Sequence, residues 1–276
     1  MTLEDPTPLP ADWTAGTVHA NGIDQHYVRT GGDGPPLVIA HGVFDDGPCR
    51  TPLARDLADD YDVFLPDARG HGRSAAPESG YGAADRAADL LALLDALEIE
   101  DPILFGHSMG GDTVAAAAAR RPDVPRAVVL EDPGAMLEPE GDRDDAVASA
   151  REQIEWWHDH TKAELLEADE ELAGHVAAGE EELAARLADA RLRVSPRVAG
   201  VFEHDLLDPG DVYPDVTAPT LVLKADADAE GRERDRERAA HFPDGRLVHV
   251  DDTGHCVLRD DRATATRELR TFLEDR

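Results

Sequence analysis

Short, nearly continuous apolar runs are what most constrain this chain. They lie at residues 36–40, 63–66, 102–106, 127–130, 220–223 and 247–250. A strand with one wet face alternates apolar and polar residues, whereas a run apolar at nearly every position is buried on both faces, as in a parallel sheet. Parallel neighbours need long crossovers, and helical patterns fill the gaps. Residues 85–97 carry Leu90, Leu94 and Leu97 at helical spacing, and residues 110–121 carry Val114 and five alanines before Pro122 stops the helix. Asn21-Gly22 between residues 16–20 and 25–30 is a hairpin signal, so an antiparallel pair opens the fold. The expectation is an α/β, mostly parallel, eight-stranded doubly wound sheet.

The alternation stops between residues 135 and 215. That stretch has helical patterns at 142–161, 162–176 and 179–194, the last closed by Ser195-Pro196, and no convincing strand. It is expected to be a helical cap inserted between core strands, leaving residues 1–134 and 216–276 as the core. Ligands of open α/β sheets bind at the C-terminal strand edge, which such a cap would cover.

Charge narrows the function classes. With 27 Lys and Arg against 59 Asp and Glu, the chain carries −32. A surface this acidic repels nucleic acid and anionic membranes, so neither is an expected partner. Two cysteines, Cys49 and Cys256, are too few for a disulfide framework. The acidic, proline-containing start lacks the pattern of a signal peptide, and no apolar run reaches the ~18 residues of a membrane span. These features predict a soluble, cytoplasmic protein whose partner is a small-molecule substrate; the oligomeric state is open.

Gly106-His107-Ser108-Met109-Gly110 follows an apolar strand and opens a helix. A sharp strand-to-helix turn lifts the Ser108 hydroxyl clear of the sheet beside a helix N-terminus, where the Met109 N–H can meet developing negative charge. A serine hydroxyl needs a base oriented by a third group. His255, in Thr253-Gly254-His255 after the last strand, reaches the same sheet edge. Asp228, in Leu223-Lys224-Ala225-Asp226-Ala227-Asp228, is the expected acid, with Asp226, Glu131 and Asp132 as alternatives. His41-Gly42-Val43-Phe44 follows a neighbouring strand, and its Val43 N–H is the second expected oxyanion donor. Phe44, Trp156 and Trp157 are candidates to line the pocket. His158-Asp159-His160 could suggest a metal site, but residues two apart on a helix face different ways. No metal or cofactor is expected.

His41-Gly42-Val43, Asp67-Ala68-Arg69-Gly70-His71-Gly72-Arg73-Ser74, Gly106-His107-Ser108-Met109-Gly110-Gly111, the Asp226–Asp228 stretch and Gly254-His255 occur in an order that resembles the α/β-hydrolase superfamily, in its branch with a helical cap. The resemblance runs from about residue 16 to residue 275. It implies Ser108 as nucleophile, His255 as base, Asp228 as acid, and Val43 and Met109 as oxyanion donors. Ala225 stands where the family usually has glycine, and some relatives take their acid from the strand before the cap, which keeps Glu131 in play. Haloalkane dehalogenases and epoxide hydrolases of the fold carry aspartate in place of Ser108. The expected activity is hydrolysis of a small ester, thioester or lactone through an acyl-enzyme. Cofactor-free carbon–carbon bond hydrolysis and a non-catalytic small-molecule receptor are the alternatives. Near absence of lysine and the acidic excess also resemble proteins from organisms with molar salt inside their cells, which points to a halophile.

Overall fold

The computed structural model describes residues 6–137, 141–204 and 206–274; the acidic start at residues 1–5 lies outside them. Eight strands form one sheet: β1 (Thr14–Ala20), β2 (Ile23–Arg29), β3 (Pro36–Ala40), β4 (Asp62–Pro66), β5 (Ile103–His107), β6 (Ala127–Glu131), β7 (Thr220–Lys224) and β8 (Gly245–His249). Their spatial order is β1-β2-β4-β3-β5-β6-β7-β8. The first two strands pair antiparallel around Asn21 and Gly22, both at positive φ, and β2 also meets β4 antiparallel; all later pairs are parallel. Every residue of β4, β5, β6 and β7 is buried, which is why those runs are not amphipathic, whereas β8 at the edge is partly exposed.

Eleven α-helices accompany the sheet among the described residues. They are α1 (Thr51–Leu57), α2 (Ala83–Ala96), α3 (Met109–Arg120), α4 (Arg143–His158), α5 (Lys162–Ala168), α6 (Glu170–Ala177), α7 (Glu181–Arg193), α8 (Pro209–Val212), α9 (Ala229–Ala239), α10 (Val257–Asp260) and α11 (Arg262–Leu273). Successive strand residues point to opposite faces. Leu37, Ile39, Phe105 and Leu221 therefore pack with Leu53, Leu57, Leu269 and Phe272 from α1 and α11. Val38, Leu104, Val128 and Val222 pack on the other face against Leu90, Leu94, Val114 and Ala118 from α2 and α3. The small alanines of α3 let it lie close to the sheet, and three of them are buried.

Helices α4 to α8 all lie between β6 and β7, and Ile154, Trp157, Leu165, Leu172 and Leu187 form an apolar cluster there with Cys49 and Tyr81. One expected helix, residues 162–176, is two. Asp169 leaves helical geometry at ψ 123° and accepts hydrogen bonds from the Glu171 and Leu172 N–H groups, so it caps α6 instead of continuing α5. No helix among the described residues is long and apolar enough to cross a membrane.

Candidate active site

Register brings the chemistry together. Gly106 pairs with Leu130, and Glu131 with Leu223, so β5, β6 and β7 end at one edge of the sheet. Ser108 follows β5 with φ 51° and ψ −117°, a strained conformation held between β5 and the start of α3. The glycines around it are sterically required. A Cβ on Gly106 would lie 2.2 Å from the Gly110 carbonyl oxygen, and one on Gly110 would lie 2.3 Å from that of Ala40.

His255 Nε2 lies 2.9 Å from Ser108 Oγ, and its Nδ1 lies 2.6 Å from Asp132 Oδ2. An ionised carboxylate can only accept, so the proton sits on Nδ1 and Nε2 is left to accept from the serine hydroxyl. Burial alone would raise the Asp132 pKa; the hydrogen bond from His255 and the charge of Lys224 outweigh it and hold the group below its ordinary range. Lys224 Nζ is 2.5 Å from Asp132 Oδ1 and 3.7 Å from Asp235 Oδ1, and Asp235 accepts in turn from His249. All four of these side chains are buried. Ser108, His255 and Asp132 thus form a continuous relay, with a buried lysine behind the carboxylate.

This corrects the expected acid. Asp228 is exposed at the N-terminus of α9, where its Oδ1 accepts from the Gly231 N–H at 2.8 Å. Asp226 is exposed as well, pairing with Arg232 and accepting from the Asp252 N–H. Glu131 is fully buried but committed elsewhere, to Arg50 at 2.8 Å and to the Leu258 N–H. Asp132, the next residue, is the carboxylate that reaches His255, because strand alternation turns Glu131 and Asp132 apart and a positive φ of 40° at Asp132 completes the turn.

Ser108 opens into a cavity of about 630 Å³ lined by Val43, Arg86, Met109, Asp112, Leu137, Arg143 and Phe202, among others. Met109 is the first residue of α3, so its N–H has no intrahelical partner. Val43 comes from the β3 loop, which passes so close that a Cβ on Gly42 would lie 3.5 Å from Ser108 Cβ. Both expected oxyanion donors therefore border the cavity.

The expected aromatic lining is different. Trp157 is buried in the helical insertion, edge-on to Phe44 with ring centroids 5.1 Å apart, and its indole N–H donates to Asp169. Trp156 rests on His160 with centroids 4.3 Å apart. Neither indole nor Phe44 lines the cavity; Phe202, which Phe44 meets on its other side, does. Arg86, Asp112, Phe202 and Lys224 were not among the expected site residues. Only Lys224 leaves a trace in the sequence: a lysine ending an apolar strand needs a carboxylate on a neighbouring strand. His41, His71 and His107 are buried, and burial lowers each pKa, to about 3 for His71. Their hydrogen bonds brace the loops, as when His107 Nε2 meets the His255 carbonyl at 3.0 Å.

The strained serine between a parallel strand and a helix, backed by histidine and aspartate from the same sheet edge, defines a class. Residues 35–261 match the family model for the alpha/beta hydrolase fold, and the chain belongs to that family. N-formylmaleamate deformylase of Pseudomonas putida is 30% identical over 253 residues, 89% of this chain and 91% of its own. A shorter stretch of 105 residues, 38% of either chain, is 40% identical to 2-(acetamidomethylene)succinate hydrolase of Mesorhizobium japonicum. Among solved structures, the enol-lactonase from Burkholderia xenovorans superposes with a TM-score of 0.73 at 25% identity, covering 94% of this chain and all of that one.

Proposed function

We propose that this chain is a serine-dependent hydrolase of small acyl compounds that works through an acyl-enzyme. Ser108 Oγ attacks the substrate carbonyl as His255 Nε2 takes its proton, and the resulting oxyanion is met by the Val43 and Met109 N–H groups. His255, now charged between Asp132 and the reaction centre, returns the proton to the leaving group. Water then attacks the acyl-enzyme by the same path in reverse order, releasing the acid and restoring Ser108. In this reading Asp132, not Asp228, orients the base, and the helical insertion acts as a cap that roofs the cavity with Arg143 and Phe202.

The observation that carries the reading is the unbroken contact from Ser108 Oγ through His255 to Asp132, at 2.9 and 2.6 Å. The relatives support hydrolysis, and their names widen the scissile bond: a lactonase extends the ester reading, while a deformylase adds N-acyl compounds to it. The test is labelling with a fluorophosphonate probe, then turnover of 4-nitrophenyl acetate. Ser108→Ala should abolish both, and His255→Ala should lower turnover on the order of 10³-fold or more. Labelling without turnover of any ester or N-acyl compound would favour a receptor. Labelling that survives Ser108→Ala would refute the assignment.

A further inference from the structure

Five arginines are buried among the described residues: Arg50, Arg69, Arg86, Arg186 and Arg191. Four have a carboxylate within 4 Å, on Glu131, Asp89, Glu182 and Asp169 respectively. Arg86 has none among the described residues, although acidic residues outnumber basic ones 59 to 27 in the full sequence. A buried cation with no carboxylate in contact is costly, and only the longer-range charges of Asp112, Asp85 and Asp89 offset the desolvation. Its position adds to the cost, because Arg86 stands in the first turn of α2, where the helix dipole disfavours positive charge.

The guanidinium is held in place. Nε donates to Thr113 Oγ1 at 3.0 Å, and Nη1 donates to the Tyr81 carbonyl. Thr113 Oγ1 in turn donates to the carbonyl of Met109, the residue after the candidate nucleophile. A guanidinium has five N–H donors, so three remain. Arg86 also lines the cavity onto which Ser108 opens. A fixed, desolvated cation with spare donors, lining the same cavity as a candidate nucleophile, is suited to a planar anion.

We propose that Arg86 receives a carboxylate carried by the substrate, so that the site takes small acyl compounds with a free acid group. The proposal rests on the serine-hydrolase reading and narrows its substrate class. Asp112 faces the same space, more than 4 Å from Arg86, with Oδ1 engaged by the Ala135 N–H. Burial raises its pKa to about 6, so it is the group that takes up a proton when a second negative charge enters. Among the described residues, Arg143 and His204 on the insertion side, together with Asp142, complete the charged and titratable lining.

The experiment compares monomethyl glutarate with methyl pentanoate, acyl groups of the same length that differ in a terminal carboxylate or methyl. Hydrolysis is followed in a pH-stat at constant ionic strength. Wild type should favour the charged ester in kcat/KM by at least tenfold. Arg86→Met should lower that ratio by roughly 10- to 100-fold, the scale of one charge-assisted hydrogen-bonded pair. Arg86→Lys should recover part of it. Wild type preferring the neutral ester, or a ratio unmoved by Arg86→Met, would overturn the proposal. Should Arg86→Met fail to fold, the wild-type ratio and Arg86→Lys decide. Calorimetric titration of Ser108→Ala with the same two esters separates the two readings. Tighter binding of monomethyl glutarate than of methyl pentanoate that weakens in Ser108→Ala/Arg86→Lys, without turnover by wild type, would sustain Arg86 and refute the hydrolase. Turnover without charge preference would do the reverse.

Discussion

Replacing Asp132 and Asp228 one at a time by asparagine asks which strand supplies the triad acid. In Asp132→Asn the 2.6 Å contact to His255 Nδ1 loses its charge. The new amide can also donate to Nδ1, which moves the ring proton to Nε2, where it faces Ser108 Oγ and blocks proton transfer. Loss of an orienting aspartate in a serine triad costs about 10⁴-fold in kcat. Lys224 loses its 2.5 Å counter-ion but keeps Asp235 at 3.7 Å. The stability cost should therefore fall at or below the lower end of the ~3–5 kcal/mol for breaking a buried pair. Asp228 touches neither His255 nor Ser108 and only caps α9, a task asparagine performs equally well. Asp228→Asn should stay within about twofold of wild-type activity and about 0.5 kcal/mol of its stability. The assay is kcat on 4-nitrophenyl acetate, with urea unfolding in parallel. Asp132→Asn keeping more than a tenth of wild-type activity, or Asp228→Asn losing a hundredfold, would refute the geometry.

Lys224→Met leaves Asp132 and Asp235 buried without their shared cation and should cost about 3–5 kcal/mol in urea unfolding at pH 7; a loss under 1 kcal/mol would mean the pair contributes little. Asp112 has a folded-state pKa raised to about 6, above its unfolded value, so it favours folding below pH 4, and that support is lost as pH rises to 6. Asp112→Asn should accordingly be more stable than wild type by on the order of 3 kcal/mol above pH 7, relative to the difference between them at pH 4; a pH-independent difference would contradict the shift. The −32 charge implies self-repulsion that molar KCl screens, since the Debye length is about 3 Å at 1 M. Melting temperature should rise between 0.1 and 2 M KCl at fixed pH, and a flat or falling curve would reject salt adaptation.

The parts of this structure legible in the sequence are those fixed by local chemistry. Non-alternating runs marked the central strands because both of their faces are covered, and Asn21-Gly22 marked the hairpin because its turn demands positive φ. The glycines flanking Ser108 marked the strand-to-helix turn because a side chain there would strike backbone. His255 followed from its place after the last strand. The acid was not legible in the same way. Aspartates follow both β6 and β7, and which one reaches His255 depends on the turn at Asp132 and on α9 starting so early that Asp228 becomes its cap. The aromatic lining failed for a related reason. Adjacent tryptophans on a helix point in different directions, and packing against Phe44 and His160 decided which surfaces they covered. Arg86 was not legible because whether a carboxylate touches a buried arginine is a property of three-dimensional neighbours.

Placing the acid after β6 changes how the molecule can vary. Asp132 is followed by Pro133 and a single 3₁₀ turn, Gly134–Met136, before the chain leaves the sheet for the inserted helices. The orienting carboxylate and the departure of that insertion are thus neighbours in sequence, with about one turn of slack between them. An insertion or deletion here moves the carboxylate itself. At the other junction the chain returns through residues 209–216 to β7, whose tip contributes Lys224, behind Asp132, but no member of the proposed triad. The two seams of the insertion are therefore unequal: exchanging the helices for those of a relative should succeed when the splice preserves residues 131–137 unchanged, while the return seam can accept differences in length.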